Sequence, residues 1–185
     1  MKRTTPCLIA TALSLFAGTT AAQSGHVLDT YADDFAQLES KFNELAGAMG
    51  ADTYDWRPME GVRSVSEVYM LIAAEAYYIP SLWGAEPPEG VPPANRLFRE
   101  MAAITERDEV LVHLERSLAR ARASLEGLSP DALERPVQFF GRERTLGEAL
   151  YIMLADMHEH LGQAIAYARS NEVVPPWTSR QEGGA

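Results

Sequence analysis

An acid and an imidazole, Asp156 and His160, stand four residues apart in an apolar helical pattern, and a second acid, Glu75, stands in another. Side chains at i and i+4 share one face of a helix, so Asp156 and His160 project together. Leu146, Ala149, Leu150, Met153, Met157, Leu161, Ala164 and Ala168 recur at helical spacing beside them, which turns that face toward other helices. Two carboxylates and one imidazole in a bundle interior can hold a divalent ion such as Zn, Ni or Mn. Three protein ligands leave positions open for water, as catalytic metal sites do. The same residues can instead form a metal-free polar network, with Asp156 accepting from a ring N–H of His160. Glu75 would then pair with an arginine or with a hydroxyl from Tyr69, Tyr77 or Tyr78. Both readings stand on the residues alone.

The elements that must position these groups announce themselves by their starts. Ser64 and Thr145 each precede a glutamate by three residues, Glu67 and Glu148, the pattern in which cap and glutamate satisfy each other's backbone N–H. Glu75 lies eleven residues after Ser64, and Asp156 eleven after Thr145. Each acid is therefore about 16 Å along its helix from its own cap. If both helices start at the same end, the two carboxylates share one depth, with His160 a turn further on. His158 cannot share an ion with His160, since two residues turn about 200° around a helix; it is expected to face solvent. His113 falls at the edge of its helix's apolar face, with no partner evident nearby in sequence.

Four amphipathic segments carry the fold. Leu28, Tyr31, Phe35, Leu38, Phe42, Leu45 and Met49 predict a helix over 27–49. Val68, Leu71, Ile72, Glu75 and Ile79 predict a second, ending near Pro80. Val110, Leu111, Leu114, Leu118, Ala121 and Leu125 predict a third, starting at Thr105 or Glu106. The fourth begins at Thr145 and stops before an exit at Asn171 to Trp177 that folds back over the bundle end. Residues 85–96 hold four prolines and read as a long surface connection. Val137 to Gly141 is a brief apolar piece with a turn, compatible with an extended conformation, and strand signal is otherwise nearly absent. Trp56 serves either as a lid or as closure of the core. The expected class is all-α, a four-helix bundle.

Composition narrows the function. Lys2 and Arg3, an apolar run over 7–16 and Thr20-Ala21-Ala22 have the form of a secretory signal peptide, cut near Ala22, so export to a periplasm or the exterior is expected. Cys7 precedes the apolar run, which argues against a lipid anchor. Removing residues 1–22 leaves 163 residues, takes the formal charge from −10 to −12, and removes the one cysteine. The remainder is too acidic for phosphate neutralisation, which excludes nucleic acid as a partner. It has no disulfide and no thiolate. No other run is long and apolar enough for a membrane span. The bundle is expected over 23–178, with 179–185 a loose tail.

Trp56-Arg57-Pro58, Gly61-Val62-Arg63-Ser64-Val65-Ser66-Glu67, His160-Leu161-Gly162-Gln163 with Tyr167-Ala168-Arg169, and Val174-Pro175-Pro176-Trp177 together resemble the DinB/YfiT-like superfamily. The resemblance implies an up-down-down-up four-helix bundle, often a homodimer. It implies a zinc or nickel ion held by three histidines, and in some members thiol-dependent transferase or isomerase activity. Carried over position by position, the three histidines fall on Leu71, Asp156 and His160. One imidazole is kept, one is replaced by a carboxylate, and one is lost. Glu75, one turn beyond Leu71, is the candidate substitute, so the expected ligand set is His160, Asp156 and Glu75. Three functions follow: a DinB-like bundle of unassigned activity with a degenerate metal site, a metal-dependent hydrolase or transferase, and a metal-free small-molecule binding module.

Overall fold

The computed structural model describes residues 13–178, with side chains from residue 25. Four long helices dominate: α1 (Leu13–Ala48), α2 (Val65–Tyr78), α4 (Arg107–Glu126) and α5 (Leu146–Ser170), with a short α3 (Ala94–Met101) between the second and fourth. The expected all-α core is present. Phe35, Leu38, Phe42 and Leu45 of α1 pack against Val110, Leu114 and Leu118 of α4 and Met153 and Met157 of α5 in one buried cluster. Burying side chains of this size is the main source of stability in a chain without disulfides.

Direction is fixed by polar contacts between the helices. Arg107, at the start of α4, donates to the Met49 and Gly47 carbonyls at the end of α1, at 3.1 and 2.9 Å. Further along α4, Arg122 pairs with Glu39 at 2.7 Å, so α1 and α4 run antiparallel. Arg107 also satisfies carbonyls that a helix end leaves without partners.

Two expectations need correction, and a third gains detail. The first helix begins at Leu13 rather than Val27, because Ala-, Ser- and Leu-rich sequence before Val27 contains no proline to stop it. Residues 1–12 of the expected signal peptide, and the tail from 179, lie outside the described residues. The Pro-rich connection ends earlier than expected. Pro93, with φ −65° and ψ 155°, is the N-cap of α3, and Arg96 and Glu100 pair across one turn at 3.0 Å. Prolines that forbid a helix interior are compatible with a helix start. Leu97 and Met101 are buried by α3, while Arg116 and Arg120 of α4 hold the Glu89 and Glu86 carbonyls of the preceding loop. The apolar piece near Val137 is extended and turns as expected, and the residues after the turn complete a hairpin. β1 (Pro136–Phe139) pairs antiparallel with β2 (Arg142–Thr145), Phe139 opposite Arg142. Phe140 and Gly141, with φ of 45° and 75°, make the left-handed two-residue turn that matches strand twist.

The exit of α5 behaves as expected in outline. Glu172 takes φ 61° and Val173 N–H donates back to the Ala168 carbonyl at 2.9 Å, closing the helix end. Pro175 is buried and Trp177 packs against the core. Among the described residues, no helix is long and apolar enough to cross a membrane.

Candidate functional site

Both capping boxes form. Ser64 accepts from Glu67 N–H at 3.3 Å while Glu67 accepts from Ser64 N–H at 2.7 Å. Thr145 and Glu148 repeat the exchange at 3.2 and 2.9 Å. The two helices nevertheless start at opposite ends of the molecule. Tyr167, late in α5, donates to the Arg63 carbonyl just before α2 at 3.0 Å. At the other end, Tyr78 of α2 donates to the Gln138 carbonyl in the hairpin that precedes α5. The condition of a common starting end is not met, yet the acids still meet across the antiparallel pair, Glu75 from the last turn of α2 and Asp156 from the middle of α5. Antiparallel pairing of Arg63 with Tyr167 and Glu75 with Asp156 sets a register in which Leu71 stands level with His160.

Glu75, on α2, is only 7% exposed. Burial pushes its pKa up, and the neighbouring Asp156, as a charge and as a hydrogen-bond partner, raises it further, to about 9; Arg63 opposes this weakly. Glu75 therefore holds its proton at neutral pH. Asp156 Oδ2 sits 3.5 Å from His160 Nε2. This oxygen and Glu75 Oε2 are both buried without a hydrogen-bond partner.

The other side of His160 is anchored. Its Nδ1 lies 2.8 Å from Gln163 Oε1, and Gln163 Nε2 donates to the Tyr167 hydroxyl at 2.9 Å. The chain of bonds settles who donates. A carbonyl only accepts, so Tyr167 donates to Arg63 and must accept from the Gln163 amide N–H. Gln163 Oε1 then accepts from His160 Nδ1–H. In the neutral ring this leaves a lone pair on Nε2, pointed at Asp156 Oδ2. Nε2, Asp156 Oδ2 and Glu75 Oε2 are thus gathered in one buried centre, where the proton on Glu75 or a cation would sit between oxygen and nitrogen acceptors. The donor set, two oxygens and one imidazole nitrogen, is chemically suited to a divalent ion. Its geometry is not: among the described residues no three His, Cys, Asp or Glu side chains are arranged to hold one. The level of Leu71, opposite His160, presents a hydrocarbon.

Leu71 opens instead onto a cleft of about 750 Å³, with Arg57, Arg63 and Glu67 at the cap of α2, Phe98 of α3 and Gln163 of α5 around it. Phe98 links this cleft to an aromatic cluster, its ring centre 6.2 Å from Tyr78 and 5.8 Å from Phe140. Trp56 closes the neighbouring end, half-buried with its edge against the Tyr167 ring at 5.3 Å. Gln163, Tyr167 and Arg63 had no assigned role in the sequence reading. The spacing 160, 163, 167 on one helix face was the available signal for the first two.

Two other histidines find partners on other helices. His158 is exposed as expected and pairs with Asp34 of α1 at 2.8 Å. His113 stacks edge-on to Tyr77 and lies 3.4 Å from its hydroxyl, with burial lowering its pKa.

A bundle of four long helices with a polar centre between α2 and α5 defines the class. The sequence profile of the DinB superfamily matches residues 34–164, more than half of the chain, and the protein belongs to that superfamily. Solved structures agree on the fold. A DinB-like protein from Bacillus cereus ATCC 10987 superposes with a TM-score of 0.66 at 14% identity, covering 80% of this chain and 95% of its own. The DinB-like protein YjoA from Bacillus subtilis gives 0.61 at 18%, covering 78% and 94%. A mycothiol-dependent maleylpyruvate isomerase gives 0.58 at 20%, covering 72% of this chain but 59% of its own. No curated protein matches the chain by sequence.

Proposed function

We propose that this chain is an exported, metal-independent small-molecule-binding member of the DinB superfamily. In this reading the proton on Glu75 does the charge-balancing work that an ion does beside three histidines, and the up-down-down-up order of its relatives is kept. The carrying observation is the cleft beside Leu71. It has an apolar wall, two guanidinium groups and the Gln163 amide, and its size is within the ordinary range for a small-molecule site. Leu71 contributes wall where a ligand atom would otherwise point. Export rests on residues 1–22 of the sequence.

A second reading is favoured by the unpartnered oxygens of Glu75 and Asp156. Here Glu75, Asp156 and His160 bind Zn, Ni or Mn, and the chain is a metal-dependent hydrolase or transferase. Such an ion would supply an activated water. Gln163 and Tyr167 would keep His160 Nε2 aimed at it, the outer support that metal-bound histidines need. Glu75 would have to release its proton first.

Metal analysis separates the two. Purified protein, before and after re-addition of each ion at pH 7.5, should hold far less than one equivalent. One equivalent that disappears in His160→Ala, with helicity unchanged, overturns the first reading in favour of the second. Because Leu71 stands level with His160, Leu71→His should create an affinity for Zn that the natural chain lacks.

A further inference from the structure

We infer that the cleft beside Leu71 takes a small carboxylate with an apolar body, the carboxylate on Arg63 and the body against Leu71 and Phe98. The inference rests on the binding role proposed above and adds the ligand's chemical class. Three charged side chains face the cleft: Arg57, Arg63 and Glu67. Two of them are already committed. Arg57 pairs with Glu67 at 3.3 Å and donates to the Val62 carbonyl at 3.0 Å, and Glu67 is also held by the cap of α2. Arg63 is different. Its backbone carbonyl is used by Tyr167, but its guanidinium has no hydrogen bond or ion pair among the described residues. One cation is therefore left over, in a chain whose formal charge is −10. The group's one interaction among the described residues is a weak electrostatic one with Glu75, and a guanidinium without a bonded partner on an acidic protein is where an anion will concentrate.

The spare group also sets the kind of anion. A guanidinium offers parallel N–H donors that match the two oxygens of a carboxylate. A single spare cation, with the Glu67 carboxylate nearby, suits one negative charge better than the two of a phosphate monoester. Beside Arg63, Gln163 has one amide N–H directed at Tyr167 and a second left for a ligand oxygen. Leu71, Phe98 and Ala102 then provide apolar surface for the rest of the molecule. Phe98 sits on α3, the short helix after the Pro-rich loop, so that segment supplies one wall of the site.

The test uses three probes of one shape on the full chain at pH 7.5: 3-phenylpropionate, 3-phenylpropan-1-ol and 3-phenylpropylamine. Binding is followed by titration with NMR detection of the Gln163 and Phe98 signals. The acid should bind with a Kd on the order of millimolar, as expected for so few atoms. The alcohol and the amine should bind at least about tenfold more weakly, the difference one charge-assisted contact confers. Arg63→Gln should remove that preference and Arg63→Lys should restore part of it. Arg63 is exposed, so both variants should fold. Equal binding of all three probes, unchanged in Arg63→Gln, overturns the carboxylate assignment while leaving a binding cleft. If none of the probes moves the Gln163 or Phe98 signals, the binding role itself falls.

Discussion

Replacing Glu75 by glutamine should make the protein more stable, and increasingly so as pH rises. The carboxyl has an ordinary pKa of 4.5 when unfolded and about 9 when folded. Between those values the native state binds one more proton than the unfolded state, so stability falls with pH by up to about 1.4 kcal/mol per unit. The sign follows from the raised pKa. The stability is fully present below pH 4.5 and is lost as pH climbs through 9. Integrating from the acid limit gives a loss of about 1 kcal/mol by pH 5 and about 3 kcal/mol by pH 7. By pH 9 it approaches about 6 kcal/mol. These are ceilings, because the Asp156 side chain is 35% exposed and water reaching it screens the pair. Glutamine keeps the shape of the protonated acid and carries no charge to desolvate. Urea unfolding of wild type and Glu75→Gln at pH 5, 7 and 8.5, with EDTA present, measures the difference at each pH. It should widen by at least about 1.5 kcal/mol between pH 5 and 8.5. A constant difference would show that Glu75 takes up no proton on folding, and the proton-holding centre would have to be abandoned. If the second reading holds, adding Zn should reverse the sign, with wild type gaining and the glutamine variant not.

Two further perturbations test the supports of the site. Tyr167→Phe removes the hydroxyl that joins Gln163 to the Arg63 carbonyl and should cost about 1–2 kcal/mol in denaturant unfolding. It should also release the ring of His160, so that 15N shifts report a mixture of tautomers where wild type shows Nδ1–H; an unchanged tautomer would refute the bond order deduced above. Ser64→Ala deletes the α2 cap, which also touches Ser66 Oγ at 3.0 Å, and should cost about 1 kcal/mol. No loss in thermal unfolding would mean that the neighbouring Arg57–Glu67 pair alone holds that helix start.

Much of the fold was written in the sequence because its determinants are local. Apolar spacing and the two capping boxes are properties of a single helix, and all four long helices cover those signals, α1 beginning earlier at Leu13. The hairpin was half legible. The apolar run at Val137 was visible, but its strand character depends on Arg142–Thr145, whose own residues carry no strand pattern. Helix α3 was hidden by prolines that mark its start. His160, Asp156 and Glu75 were also readable, as polar groups on otherwise apolar faces, whereas Leu71 stood out only through the resemblance to the DinB family, since a leucine fits the apolar stripe of its helix.

What the sequence could not decide was how these helices face one another. Equal spacing from the two caps would put the acids at one depth only if the helices shared a starting end, and the chain folds α2 against α5 in opposite directions. Only that antiparallel register sets Glu75 against Asp156 and brings Leu71 level with His160. Burial then does the rest: a carboxylate in water titrates at 4.5, while the same group enclosed beside another acid keeps its proton to about 9. Arg63 shows the same limit, since a guanidinium is unremarkable in a sequence until its neighbours are seen to be paired with others. Periodicity, caps and residue chemistry belong to the chain. Protonation state, tautomer and spare charge belong to distances between helices, because electrostatic energies depend on neighbours and on water that no single segment contains.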